Sequence, residues 1–475
     1  MRKIILLALC FLCIFNQSVF SINEESIDED MTATESADRT AYDAVKGAFF
    51  GVSEALFCNT LIMVNNIVFN SLTGMATWAK PSSEALRKNL TRSWEWEDTD
   101  GYLVNFFGHP YQGSTYFSAG RVNGFTFYES VLLSAFGSSS WETFFESNHA
   151  SINDAIITTV GSMSVGEIIY RLFLEARAAD LPGFVGLLIN PLAAFHYWLG
   201  RQTPPSHGRN LYQLEFRFAP GFAQTEYTVS GMDEKLYSFL GLYGNVSITA
   251  VYGNPFEQDS RVPFNHFEMF FNFGLDFFKY NSMRFISDGY LFSFSPVYTK
   301  TDTLSSGLTL NLDFVSLGAS GNQDSTLDQF SNALDWTVKY QHIFPRNTII
   351  RAKAHAGFTF MGASKYYSPP RKRDLKNYGY GFNAKLFFNL ENEKFGRLET
   401  GIYGYMLLPY PGTSKLSASS KTYWFYSEAT YSHYIGRHLS LGVTDLFGIE
   451  RGFYGEFPDT SKFNNEVKIF LAWNM

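Results

Sequence analysis

From about residue 210 to the C-terminus, apolar and polar side chains alternate with a period of two. In Leu211 to Phe218, Tyr212, Leu214, Phe216 and Phe218 share one face, and Gln213, Glu215 and Arg217 share the other. His266 to Phe277 sets Phe267, Met269, Phe271, Phe273, Leu275 and Phe277 against Glu268, Asn272 and Asp276. Ile350 to Phe360 sets an apolar face against Arg351, Lys353, His355 and Thr359, and the last segment sets Val467, Ile469, Leu471 and Trp473 against Glu466, Lys468 and Asn474. Successive strand side chains point to opposite faces, so each segment has one apolar and one polar side.

A soluble sandwich would turn the apolar face inward, whereas a membrane barrel turns it outward and lines a wet lumen with the polar face. Length separates the two. The segments run to about 10–16 residues, beyond the usual strand of a soluble domain and enough to cross hydrocarbon when tilted. About twelve are counted: 211–222, 238–253, 266–279, 283–298, 306–317, 332–344, 348–361, 377–390, 396–409, 422–435, 438–449 and 464–475. An even number suits a closed antiparallel barrel with both ends on one side. Segments 396–409 and 438–449 alternate poorly.

Residues 40–200 carry a helical period instead. A first helix is expected from Thr40 to Leu72, with Val45, Phe49, Leu56, Val64 and Val68 at helical spacing and Glu54, Asn59, Asn65 and Asn66 interrupting it, which reads as an amphipathic or packed helix and not a span. Leu181 to Gly200 is apolar but broken by Pro182, Gly183, Gly186 and Pro191, which predicts a helix pair on the membrane surface, at the barrel mouth or in a packed domain. Residues 201–209, with Pro204–Pro205 and Gly208, read as the linker to a barrel over 210–475. The expected fold class is α+β, a helical domain followed by an antiparallel transmembrane β-barrel of about 12 strands.

Residues 1–21 have the layout of an export signal: Arg2 and Lys3, an apolar run from Ile4 to Phe15, then small and polar residues to Ser21. Residues 22–39 are acidic and polar and read as a flexible leader. Beyond the signal the only cysteine is Cys58, so no internal disulfide is expected. No uninterrupted apolar run of about 20 residues follows, so no spanning helix is predicted. Yet the chain holds 48 Phe, 28 Tyr and 8 Trp, which suit lipid-facing surfaces and interfacial girdles. A net charge of -8 with no basic block argues against a nucleic-acid partner.

The most distinctive run begins Phe107-Gly108-His109-Pro110-Tyr111-Gln112-Gly113-Ser114 and continues through Arg121, Glu129, Trp141-Glu142, Ser151-Ile152-Asn153-Asp154, Gly161, Gly166-Glu167 and Tyr170-Arg171. Over residues 100–175 it resembles an exported bacterial family known as a domain of unknown function, DUF 3943. That resemblance implies kinship and no established activity. The spacing itself predicts an ion pair between Glu167 and Arg171, close helix approach at Gly161 and Gly166, a helix start capped by Ser151, and a turn over His109 to Ser114. His109, Gln112, Arg121, Glu129, Glu142, Asp154, Glu167 and Arg171 form the candidate polar cluster. One reading is a shared pocket in which His109 is a base and an arginine holds an anionic head group. The other is a buried network that ties helices together.

Glu215, Arg217, Glu268, Asp276, Arg351, Lys353 and His355, with Asp313, Lys339 and Lys385, are expected to line the lumen. No metal site and no cofactor are expected. The functional expectation is an outer-membrane barrel protein with a periplasmic or plug-like helical domain, transport-linked or structural in the envelope. Its expected partners are outer-membrane lipid and an unidentified periplasmic protein. The alternative is a lipid-modifying hydrolase drawing on His355, Ser287 and His433.

Overall fold

The computed structural model describes residues 41–475, except 74–78, 97–99, 201–209, 232–236, 255, 257–258, 276–279, 320–324, 369–372, 411–420, 456 and 475. The expected signal, leader and linker, and Asp276, therefore lie outside the described residues. Two compact units are present: residues 1–99 with 109–208, and residues 100–108 with 209–475.

The second unit holds twelve antiparallel strands: β1 (Leu211–Val229), β2 (Tyr237–Tyr252), β3 (Phe267–Leu275), β4 (Tyr280–Tyr298), β5 (Asp302–Ala319), β6 (Ser325–Phe344), β7 (Thr348–Ser368), β8 (Arg373–Asn392), β9 (Gly396–Pro409), β10 (Lys421–Tyr434), β11 (Leu439–Phe453) and β12 (Thr460–Asn474). Each pairs with its sequence neighbour, and β1 pairs with β12 in a register running from Glu215 opposite Asn474 to Val229 opposite Thr460. The barrel is closed, so every interior edge is satisfied.

Its polarity is that of a membrane barrel and not of a sandwich. Leu242, Phe218, Leu386, Phe382, Ile402, Leu441 and Ile469 are exposed on the outside. Glu466, Glu215, Asp313, Asp335 and Lys385 are buried on the inside. Charges fill the interior because they can pair across it. The apolar exterior would be untenable in water over such an area.

The nine-residue segment Asp100–Gly108 folds with the barrel, although in sequence it lies among the helices. It ends in a π-helical turn, Val104–Gly108. On the barrel, Phe271, Phe285, Phe314, Phe330, Ala363 and Tyr378 face each other pairwise across β3 to β8, making one continuous row. The neighbouring Arg284 and Asp313 reach across the lumen to Glu428 and Lys385, so alternation turns this row outward. Tyr102 and Phe107 pack on Phe314, Phe107 also meets Phe271, and Phe106 meets Phe330 and Tyr378. The Tyr102 hydroxyl donates to the Ala363 carbonyl at 3.3 Å. This segment is a strap on the outer wall.

The first unit is helical: α1 (Ala41–Thr73), α2 (Ser83–Thr91), α3 (His109–Val122), α4 (Phe127–Ser140), a π-helical turn at Trp141–Phe145, α5 (Ile152–Ala178), α6 (Gly183–Ile189) and α7 (Pro191–Trp198). Two expectations are corrected. The segment His109 to Ser114 is the first turn and a half of α3 and not a loop. Pro110 is tolerated there because it directly follows the π-helical turn Val104–Gly108, where the regular i→i−4 ladder is already interrupted. Secondly, two helical stretches are long and apolar enough to cross a membrane, Asp43–Leu72 and Ile152–Ala178. Of the residues that interrupt the first of them, Asn59 and Asn66 are buried and Glu54 is held by Asn123 and His196, while Asn65 is exposed.

Small residues set the packing of α3 on α5. A side chain at Gly161 would strike Pro110, one at Gly166 would strike Phe117, and one at Gly113 would come within 2.1 Å of the Thr158 carbonyl. The α6–α7 pair forms as expected, with Asn190 accepting from the Ala193 N–H and Pro191 in the first turn.

Candidate functional site

The barrel interior divides into two regions. In the half nearest the two chain ends of the barrel, charged side chains from non-adjacent strands meet. Glu268 of β3 accepts from Lys339 of β6 at 2.7 Å and from Lys353 of β7 at 2.6 Å. Lys353 also reaches Asp288 of β4 at 2.9 Å, and Lys339 touches His266 at 2.6 Å. His355 bonds Thr337 at 2.7 Å through Nδ1. Arg217 of β1 donates to Glu399 of β9 at 2.9 Å and pairs with Glu215, which also receives Arg397. Arg351 donates to Glu391 at 2.7 Å. A cavity of about 290 Å³ lies among these groups, with Phe270, Phe387 and Tyr403 on its walls.

The other half of the lumen is filled. Val315, Leu317, Leu327, Tyr403, Tyr405, Leu407, Trp424, Tyr426 and Leu446 form one buried cluster contributed by β5, β6, β9, β10 and β11. Strands that are not neighbours in the ring meet here only because their side chains cross the interior. Tyr366, Leu375, Tyr454 and the adjoining Phe457 form a second cluster beyond. Polar anchors thread the fill: Tyr405 donates to Asp313 at 3.0 Å, and Tyr243 and Tyr280 both donate to Glu466.

Glu215, Arg217, Glu268, Arg351, Lys353, His355, Asp313, Lys339 and Lys385 all point inward. Their partners Asp288, Arg397 and Glu399, and the further inward-facing Arg284, Glu428 and Glu466, were not singled out as lining residues. Asp288 and Arg284 flank Ile286 on the inner face of β4, which blurs the polar signal there. The signal that could have found them is charge at every second position opposite an apolar face.

In the helical unit the eight candidate residues separate. Arg121 and Arg171 both hold Glu167, at 3.0 and 2.8 Å, and all three are buried. Arg121 also donates to the Phe125 carbonyl and lies over the Tyr170 ring. His109 lies 3.6 Å from Asp154. The twelve-residue rise along α3 puts the His109 and Arg121 centres about 18 Å apart, so they are two centres and not one pocket. Glu129 forms a capping box with Thr126. Glu142 accepts from the Ser151 N–H at 2.7 Å, and Ser151 in turn caps α5 at Asp154. Gln112 donates to Tyr116, which donates to Asn59. Each has a structural partner on the helix it joins. Among the described residues, no group of three or more His, Cys, Asp or Glu could hold a metal ion.

Ser287, His355 and His433 are not brought together. His355 faces the lumen on β7. Ser287 alternates with inward-facing Asp288 on β4, and its hydroxyl donates to the Leu312 carbonyl. His433 lies on the outer face of β10, in line with exposed Tyr431.

Residues 93–190 match the family model described as Domain of unknown function (DUF3943). No curated protein matches the chain. Among solved structures, an outer membrane channel of Pseudomonas putida F1 aligns at 10% identity over 57% of this chain and 97% of its own, with a TM-score of 0.29. The Pseudomonas putida toluene transporter TodX aligns at 9% identity over 55% of this chain and 89% of its own, with a TM-score of 0.21. The outer membrane protease OmpT of Escherichia coli aligns at 6% identity over 57% of this chain and 99% of its own, with a TM-score of 0.20.

Proposed function

We propose that the protein is an outer-membrane β-barrel, closed to free diffusion, that fixes a helical module in the cell envelope. The observation that carries this reading is the filled half of the lumen. Nine large buried side chains meet across the ring where an open channel would hold water. The export signal expected at residues 1–21 delivers the chain to the periplasm, and an even strand count returns both barrel ends to that side. On the side of the barrel's two chain ends the connections at 299–301, 345–347, 393–395 and 435–438 are short, as periplasmic turns are, although 253–266 on that side is long; on the other side 410–420 is the longest. The helical module reaches the outer membrane by the same export route.

Planar-bilayer recording of the purified full chain tests this. No unitary conductance is expected from the native protein, and conductance steps are expected once Tyr405, Trp424 and Tyr426 are all replaced by Ala. A steady conductance in the native protein would remove the reading.

A transport-linked role is favoured by one feature, the cavity in the charged half. Its wall sets a block of cations from β6 to β8 beside anions from β3, β4, β9 and β10, which suits a small zwitterionic solute over an ion of either sign. Solute binding measured by calorimetry, lost in Lys353→Ala and in Glu268→Ala, would place the protein in that class.

A further inference from the structure

We infer that the helical unit is itself immersed in lipid, with α1 facing hydrocarbon. The ground is an inversion of polarity in helices that are not part of the barrel. Val45, Phe49, Phe57, Leu61, Val64, Val68, Phe69 and Leu72 are exposed along α1, from 46% for Val64 to 82% for Leu72. With exposed Ser53 between Phe49 and Phe57, and Phe69 beside Val68, they follow one another at three- or four-residue spacing and form one stripe. Three of the four asparagines of the same helix point the other way. Asn59, Asn66 and Asn70 are buried, and Asn59 donates to the Gly137 carbonyl and to Ser140. A helix at a water boundary does the reverse.

Three of the exposed polar groups on the stripe side are satisfied without solvent, while Asn65 is an exposed amide on it. Ser53, Thr60 and Ser71 each donate to the carbonyl four residues earlier, at 2.7, 2.9 and 2.6 Å. That bond is the one open to a hydroxyl where no water is available. Between Gly47 and Thr73 the only ionisable side chains are Glu54 and Cys58, and Glu54 is held by His196 at 2.7 Å and Asn123 at 2.7 Å. At about 1.5 Å per residue this stretch is about 40 Å long, more than a hydrocarbon core of about 30 Å.

The rest of the unit follows the same rule. Its interior holds Arg121, Glu167 and Arg171 as a buried ion-paired triad, and buried His109 lies 3.6 Å from buried Asp154. Its helices meet through Gly113, Gly120, Gly137, Gly161 and Gly166. Paired charges inside and small residues at the contacts are how helices assemble in lipid, where apolar burial offers no drive. Phe184, Leu188 and Trp198 extend the exposed apolar surface onto α6 and α7.

The inference rests on the barrel being membrane-inserted, and one experiment separates the two. The full chain, in a Cys58→Ala background, is reconstituted in phosphatidylethanolamine–phosphatidylglycerol vesicles. Spin labels are placed singly at Val64→Cys, Val68→Cys, Ile469→Cys on the barrel wall, and Glu84→Cys on the polar helix α2. Labels at Val64 and Val68 are expected to collide with oxygen and lose collision with a water-soluble nickel chelate, as at Ile469, while Glu84 shows the opposite. Nickel access at Val64 and Val68 with lipid exposure retained at Ile469 overturns this inference alone. Nickel access at all of them overturns the barrel reading too. Immobile labels reached by neither collider would mean a protein cover and also overturn it. As a second measurement, the unsubstituted protein in vesicles with a diazirine-bearing acyl chain is expected to cross-link within residues 47–72. Absence of those adducts, with barrel adducts present, counts against the inference.

Discussion

Single residues in the helical unit differ sharply in what they carry. Glu167 is fully buried between two guanidinium groups. Replacing it with Gln leaves two buried cations sharing one neutral amide, which costs about 3–5 kcal/mol. Glu129 only completes a capping box, so Glu129→Ala costs about 0.5–2 kcal/mol. Thermal unfolding in detergent, followed by far-UV circular dichroism, is expected to rank Glu167→Gln well below Glu129→Ala and wild type. Equal midpoints for the two variants would mean that the Arg121–Glu167–Arg171 triad carries no load. Gly113 and Gly101 make a second contrast. A methyl at Gly113 meets backbone at 2.1 Å, whereas one at Gly101 meets nothing within 4 Å. Gly113→Ala should destabilise by about 1–3 kcal/mol, and Gly101→Ala should leave the midpoint unchanged.

At the scale of elements, the strap is the part that pattern reading could not find. Tyr102, Phe106 and Phe107 have the spacing of an ordinary helical core. Their partners Phe271, Phe314, Phe330 and Tyr378 lie more than 150 residues away. Phe106→Ala removes a fully buried ring and should cost about 3–5 kcal/mol of local stability. The check is limited proteolysis in detergent, with new cleavage expected within residues 97–109 and the barrel core left intact. The strands themselves were legible wherever the inner face is charged, as in β7 with Arg351, Lys353 and His355. They were faint in β9, because the inner face there carries Tyr403, Tyr405 and Leu407 and both faces become apolar. That faintness was the trace of the filled lumen. Helix caps at Ser151 and the Glu167–Arg171 pair were legible because they are local in sequence. The Lys339–Glu268 pair was not, since 71 residues separate its members. His109 to Ser114 misled because a proline near glycine signals a turn, whereas here it follows a π-helical turn within a continuous helical stretch.

The whole molecule depends on the joining of its first and last strands. Closure leaves no free edge, so the folded barrel should resist dodecyl sulfate at room temperature and migrate faster unheated than boiled. Deleting residues 460–475 exposes the edges of β1 and β11 and is expected to abolish that mobility difference. If the truncated chain kept it, the β1–β12 pairing would not be what holds the ring shut.

The position of the strap matters for how such a ring comes to be built. It covers β3 to β8, and the joint between β1 and β12 falls among the six strands it leaves bare. A cellular machine that assembles barrels by holding that joint open would meet no obstruction from residues 100–108. The strap can therefore dock on a half-built wall, and the order of assembly need not be the order of synthesis.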